Sequence, residues 1–133
     1  MRSFKTREFA KSAMFEGLTD KVLAHALAEI RSGLINAKLG GNLVKKRIAI
    51  GNRGKSGGLR TIIVYKTPVE NAFCLYMFAK KESENISQRQ LAQLKVLAKC
   101  LLAINEKQIQ NAIKTNALEE LIYEETNETN EKI

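Results

Sequence analysis

Tryptophan is absent from this chain, and histidine, aspartate and proline occur once each, as His25, Asp20 and Pro68. These scarcities exclude chemistry before anything else is read. A histidine-based zinc site, a ribonuclease working through two histidines and a Ser-His-Asp triad all lack parts; no metal or other cofactor is expected. His25 falls within a helical pattern, VLAHALAEI, and reads as a packing or surface residue. Cysteine is scarce too. Cys74 and Cys100 lie inside apolar patterns and not at a paired spacing such as C-x-x-C, so both are expected as buried, reduced thiols. No apolar run approaches the roughly 18 residues of a membrane span. The start, MRSFKTREFAK, mixes charges where a secretory signal has an apolar stretch. A cytoplasmic protein without membrane contact is the expectation.

Acidic residues are missing where basic ones crowd. Between Lys45 and Arg60, in KKRIAIGNRGKSGGLR, stand six basic side chains, four glycines and no acid. Cations on a glycine-rich loop between two apolar, β-branched stretches aim charge at phosphates, and the glycines let backbone N–H groups approach closely. Charge is also uneven along the chain. Residues 119–133 hold six glutamates and one lysine, net −5, which leaves the first 118 with 21 basic against 8 acidic side chains, net +13. So basic a body reads as a nucleic-acid surface. The 133 residues suffice for one domain with a real core. The expected layout is one domain over 1–118 and an acidic tail over 119–133, mobile after Tyr123. Its Glu119, Glu120, Glu124 and Glu125 either solvate the chain end or fold back over the cations.

Periodicity predicts a strand at Arg2–Lys5, a helix over Arg7–Phe15 stopped by Gly17, and a second helix from a Thr19 N-cap to just before Gly33. Residues 34–42 read as a connector. Strands are expected at Leu43–Ile50, Leu59–Lys66 and Ala72–Ala79, antiparallel because the breaks are too short for helical crossovers. Ser87-Gln88-Arg89-Gln90 is a capping box opening a helix to about Ala103, and a short helix follows over Glu106–Lys114. The class is α+β, a compact antiparallel sheet with N-terminal and C-terminal helices packed on it. Alternation on Leu43–Ile50 sends Val44, Ile48 and Ile50 to the core and leaves Lys45 and Arg47 together on the opposite face. Arg60 opens the next strand and Arg53 and Lys55 ride the loop, so these five are expected to converge. Ala49–Ser56 also fits a loose Walker A pattern, but a strand signal follows Lys55-Ser56 where a phosphate-cradling helix is required, and nucleotide hydrolysis is declined.

FKTREFAK, GGNLVKKRIA, GKSGGLRTIIVYK and AFCLYMFAKKESENIS, followed by the closing helices, resemble toxins of the RelE/ParE superfamily in its RelE/HigB branch, over about residues 2–120. RGKSGG-x-RT followed by F-A-K-x-E is the specific part. The resemblance implies an antiparallel sheet with helices on one side, an antitoxin that wraps the toxin, and cleavage of mRNA in the ribosomal A site. It places Lys45 and Arg47 at the basic positions before the loop, Arg60 at the arginine opening the following strand, and Lys80 and Lys81 at the basic pair after the last long strand. Where some members carry a C-terminal tyrosine, this chain has Ser87.

Cleaving RNA through its own 2′-OH needs a base, positive charge on the phosphorane oxygens and an acid for the leaving 5′-oxygen. Arg60 is the expected oxyanion clamp. A lysine acts as base only where neighbouring cations disfavour its charged form, which points to Lys45 between Lys46 and Arg47. Lys81, or Arg53, is the expected acid, with Glu82 as an alternative base. Lys45, Arg47, Arg60 and Lys81 are thus the expected catalytic group, and Lys46, Arg53, Lys55, Lys66 and Lys80 the expected RNA contacts. The expected partners are mRNA, the ribosome and a cognate antitoxin. Two other readings use the same cations: a non-catalytic RNA- or DNA-binding module, and a gyrase-inhibiting toxin of the ParE kind.

Overall fold

A computed structural model describes residues 2–50, 58–65, 71–79 and 86–122. Its elements are β1 (Arg2–Thr6), α1 (Arg7–Glu16), α2 (Asp20–Arg31), β2 (Ala37–Gly40), β3 (Leu43–Ile48), β4 (Leu59–Tyr65), β5 (Asn71–Ala79), α3 (Gln88–Leu102), α4 (Glu106–Lys114) and β6 (Leu118–Glu120). The strands form one sheet in the order β2-β3-β4-β5-β1-β6. Four of its five pairings are antiparallel, but β1 runs parallel to β5, so the sheet is mixed.

Local chemistry sets the helix ends. The Thr6 hydroxyl accepts from the Phe9 N–H to start α1, and Gly17 ends it in the left-handed region at φ 77°. Thr19 caps α2 by accepting from Val22 N–H. Ser87 and Asn105 open α3 and α4, each with a complete capping box. Two strands escape the sequence reading. β2 is four residues long, and Gly40, Gly41 and Asn42, all at positive φ, turn it into β3, so the supposed connector contains a hairpin. β6 has three residues and pairs with β1.

Helices cover both faces, in contrast to the one-sided packing that the resemblance implies. On one face Phe9, Leu23, Leu27 and Ile30 of α1 and α2 pack on Val44, Ile48, Leu59 and Ile63. On the other, Ala98 and Ile109 of α3 and α4 join Phe4, Leu43, Ile62, Val64, Phe73 and Leu75. Phe4 and Phe73 stack with ring centroids 5.2 Å apart. β4 is therefore enclosed on both sides, and Leu59 through Val64 are all buried.

The first two glutamates of the acidic end lie in β6. Glu119 pairs with Lys5 Nζ at 2.7 Å and Glu120 with Arg2 Nε at 2.9 Å. Lys5 also holds Asp20 at 2.7 Å, and Arg2 holds Glu106 at 2.6 Å. Burial disfavours the charged Lys5, but the hydrogen bonds to Asp20 and Glu119 outweigh it and raise its pKa. Three strands, β4, β5 and β1, separate β6 from β3. Glu119 and Glu120 are thus ladder residues at the far edge, neither a free tail nor a cover for the cations. Glu124 and Glu125 lie outside the described residues.

Cys74 is buried, and loss of water pushes its pKa up to about 12. Cys100 is exposed, contrary to expectation: its place in an apolar pattern does not put it on the packed side of α3. His25 lies on the surface beside Glu29.

Candidate active site

The site grows from register. Lys45 pairs with Ile62, which pairs with Tyr76; Arg47 pairs with Arg60, which pairs with Phe78. Cross-strand partners share a face. Two adjacent rows, Lys45–Ile62–Tyr76 and Arg47–Arg60–Phe78, therefore run across β3, β4 and β5 on the side where α3 and α4 pack. Strands lie about 4.8 Å apart, so each row spans roughly 10 Å of backbone. The grid is cationic at its β3 side and aromatic at its β5 side.

Alternation along β3 works as expected for Val44 and Ile48, which belong to the α1–α2 core, and Ile50, just past the strand, packs against it. Lys45 and Arg47 take the other face. Arg47 is exposed; its backbone N–H donates to Asn36 Oδ1 at 2.7 Å, pinning the end of β3 to the segment before β2. Arg60 is only 5 % exposed and lies between Arg47 and Phe78 in its row. Lys45 is half-buried, and both it and Arg60 make contacts within the fold.

Lys46 does not join them. It alternates to the α2 side, where its Nζ meets Glu29 Oε1 at 2.8 Å and donates to the Leu34 carbonyl at 2.7 Å. At 4 % exposure it is a strut between β3 and α2, and the expectation that it contacts RNA is corrected. The sequence argument that Lys46 acts on Lys45 fails for the same reason: neighbours along a strand point to opposite faces. On β3 and β4, the described cations sharing a face with Lys45 are Arg47 and Arg60. Arg53, Lys55, Lys66, Lys80, Lys81 and Glu82 lie outside the described residues, as does most of the Walker-like stretch. Ser87 is the α3 N-cap, accepting from Gln90 N–H at 3.1 Å.

Sequence reading missed the aromatic side. β5 carries a bulge: Ile62 pairs with Tyr76 and Ile63 with Cys74, leaving Leu75 as the extra residue. Strict alternation from Cys74, which faces α1 and α2, sends Tyr76 and Phe78 to that same side. The extra residue reverses the parity and delivers both to the cationic face. Their rings lie 6.0 Å apart at 37°. Gln90 Nε2 donates to Tyr76 Oη at 3.3 Å, while its Oε1 accepts the Ser87 N–H at 3.1 Å. The capping box was legible; its second use was not.

Two cavities, of about 660 and 560 Å³, lie elsewhere: one between α1 and β6, lined by Ala10, Met14, Phe15 and Leu118, the other between the end of α2 and the β2–β3 hairpin. Neither is lined by Lys45, Arg47 or Arg60. Among the described residues no helix is long and apolar enough to cross a membrane.

Fold and site together define a small α+β protein with Lys45, Arg47 and Arg60 on one face of its sheet. The chain belongs to the RelE toxin family: the family model described as the RelE toxin of the RelE/RelB toxin–antitoxin system matches residues 1–121. The match runs past residue 118 and takes in β6. Membership implies a cognate antitoxin as partner. Comparison with curated proteins returns no match.

Proposed function

We propose that this protein is the toxin of a toxin–antitoxin pair and acts in the cytoplasm as an endoribonuclease on mRNA in the ribosomal A site. The observation that carries the reading is Arg47 directly opposite Arg60, with Lys45 on the same face. Like charges placed opposite each other destabilise strand pairing. A polyanion on that face turns the same repulsion into binding.

In the reaction, the 2′-oxygen attacks the adjacent phosphorus as its proton is removed, and the P–O5′ bond breaks as the 5′-oxygen is protonated. The products are a 2′,3′-cyclic phosphate and a 5′-hydroxyl. Lys45 is assigned the first proton transfer. Arg60 is the clamp on the phosphorane oxygens: a permanently charged, desolvated fork acts strongly on charge that develops in the transition state. Arg47 supplies a second guanidinium from the rim. Lys81, or Arg53, is assigned protonation of the leaving oxygen, and Lys55, Lys66 and Lys80 backbone contacts. With no histidine among these groups, the isolated protein is a weak nuclease and the ribosome contributes the positioning of the substrate.

The test is mapping of mRNA 5′ ends after induction of wild type, Arg60→Ala and the exposed Arg47→Ala. Loss of an oxyanion donor lowers cutting about 100- to 1,000-fold, and co-sedimentation with ribosomes persists. Undiminished cutting by both variants overturns the assignment. A wild type that binds RNA without cutting is a passive module, and one that leaves mRNA intact while provoking a DNA-damage response is a gyrase poison.

A further inference from the structure

We propose that Tyr76 forms a nucleobase-stacking subsite beside the Arg47–Arg60 pair, held in place by Gln90. The inference rests on the reading that this face holds RNA phosphate. Three observations carry it.

The bulge at Leu75 is the first. Without the extra residue Tyr76 falls on the α1–α2 side with Cys74; with it, the ring lies in the row next to Arg60. A bulge interrupts the ladder, and bulges recur beside active sites where they re-aim a side chain. The second is anchoring. The phenol oxygen accepts from Gln90 Nε2, and Gln90 is itself fixed because its Oε1 closes the α3 capping box. The ring packs at the edge of the α3–α4 core, and the tether fixes its hydroxyl end as well. The third is placement. Phe78 is 7 % exposed and backs the ring, whereas Tyr76 remains partly open. Diagonal neighbours on adjacent strands lie about 7–8 Å apart, comparable with the reach from a nucleotide's phosphate to its base.

Single-stranded RNA is held by pairing cations for the backbone with aromatic faces for the bases. Here both lie on one sheet face, cations on β3 and β4 and the ring on β5. The subsite takes an unpaired base, and the phosphate attached to that nucleotide falls on the arginines. The Tyr76 hydroxyl, with one lone pair engaged by Gln90, keeps its proton for an acceptor on the ligand.

The experiment uses the full chain and two probes of equal length, a 2′-O-methyl oligoribonucleotide that cannot be cut and its abasic counterpart, titrated at several salt concentrations. The wild type is expected to bind the base-bearing probe roughly tenfold more tightly than the abasic one. Tyr76→Leu brings the two affinities together with the salt slope unchanged, and Tyr76→Phe keeps the preference. The chain has no tryptophan, so Tyr76→Trp installs a single indole whose emission the base-bearing probe quenches and the abasic probe does not; this readout does not depend on the leucine variant folding. A Tyr76→Leu protein with a native unfolding midpoint that still prefers the base-bearing probe, or an indole indifferent to bases, overturns the subsite and leaves the cationic face standing. Failure of the wild type to bind either probe in a salt-dependent way overturns the cationic-face reading, and the subsite with it.

Discussion

Lys46 separates the two roles a lysine in this cationic stretch can have, and its replacement is the sharpest test of the fold's account. Lys46→Ala removes a partner of Glu29 and a donor to the Leu34 carbonyl. Breaking a fully buried pair costs about 3–5 kcal/mol. Here the Lys46 side chain is 5 % exposed but Glu29 keeps 23 %, and His25 Nε2 lies 3.5 Å from its other oxygen, so water recovers part of that cost. The lost hydrogen bond to Leu34 and the lost packing of the lysine stem act in the opposite sense. The expected loss is ~3 kcal/mol, a fall of about 10 °C in Tm for a domain of this size. Lys46→Met with Glu29→Leu should restore most of it, because an apolar pair replaces a buried ion pair at little cost. RNA binding gives the contrasting readout. Each phosphate contact to a single strand contributes about 0.7 to the slope of log K against log salt. Lys46→Ala, measured below its own Tm, should leave that slope unchanged, while Arg47→Ala lowers it by about 0.7. A Lys46→Ala protein with wild-type urea unfolding, or with the shallower salt slope of Arg47→Ala, refutes the strut.

The other predictions concern the edge and the thiols. At neutral pH a maleimide reagent should label Cys100 in the native protein, and Cys74 only after unfolding, since burial keeps Cys74 as the thiol; mass mapping of labelled peptides decides it. Truncation after Leu118 cuts β6 and removes both carboxylates that hold Lys5 and Arg2 to it, so Tm should fall by several degrees; an unchanged Tm would return Glu119 and Glu120 to a dispensable tail. The raised pKa of Lys5 makes its contribution alkali-sensitive. That contribution is complete below the unfolded lysine value of about 10.4 and is lost as pH rises through the higher folded value. Thermal unfolding of wild type against Lys5→Met should therefore converge above about pH 10.4; a constant gap through strongly alkaline pH would contradict the pairing.

Most of the fold could be read from the residues because its signals are local. Gly17, Thr19 and Ser87 mark helix ends through groups within three residues of each other, or through a backbone conformation that suits glycine. Two strands were not legible for a matching reason. β2 and β6 are too short to show a period and exist because β3 and β1 offer them ladders. The parallel pairing of β1 with β5 joins residues some seventy positions apart and has no sequence signature. On β3 a period of two correctly divided Val44 and Ile48 from Lys45 and Arg47, and applied to Lys46 it gives the α2 side as well. Counting cations, which ignores faces, put Lys46 with the RNA contacts.

The count of 21 basic side chains in the first 118 residues overstates the charge on offer in a similar way. Arg2, Lys5 and Lys46 are engaged with Glu106 and Glu120, with Asp20 and Glu119, and with Glu29. These cations hold β1 to β6, β1 to α2 and β3 to α2. What makes the β3–β4 face a candidate site is therefore not the abundance of positive charge but its register. Arg47 and Arg60 occupy one rung, and like charges placed directly opposite each other cost a ladder stability. If that cost is retained for an anion, then removing one member of the rung should stabilise the uncomplexed protein. Arg47 is the member to change, because it is exposed and Arg60 is not. Arg47→Gln should raise Tm by a degree or two, consistent with the few tenths to 1 kcal/mol typical of cross-strand pairs, and should weaken RNA binding in the same protein. Opposite signs in those two measurements distinguish a rung built for a ligand from one built for the fold, since an arginine that served the ladder would lower Tm when replaced.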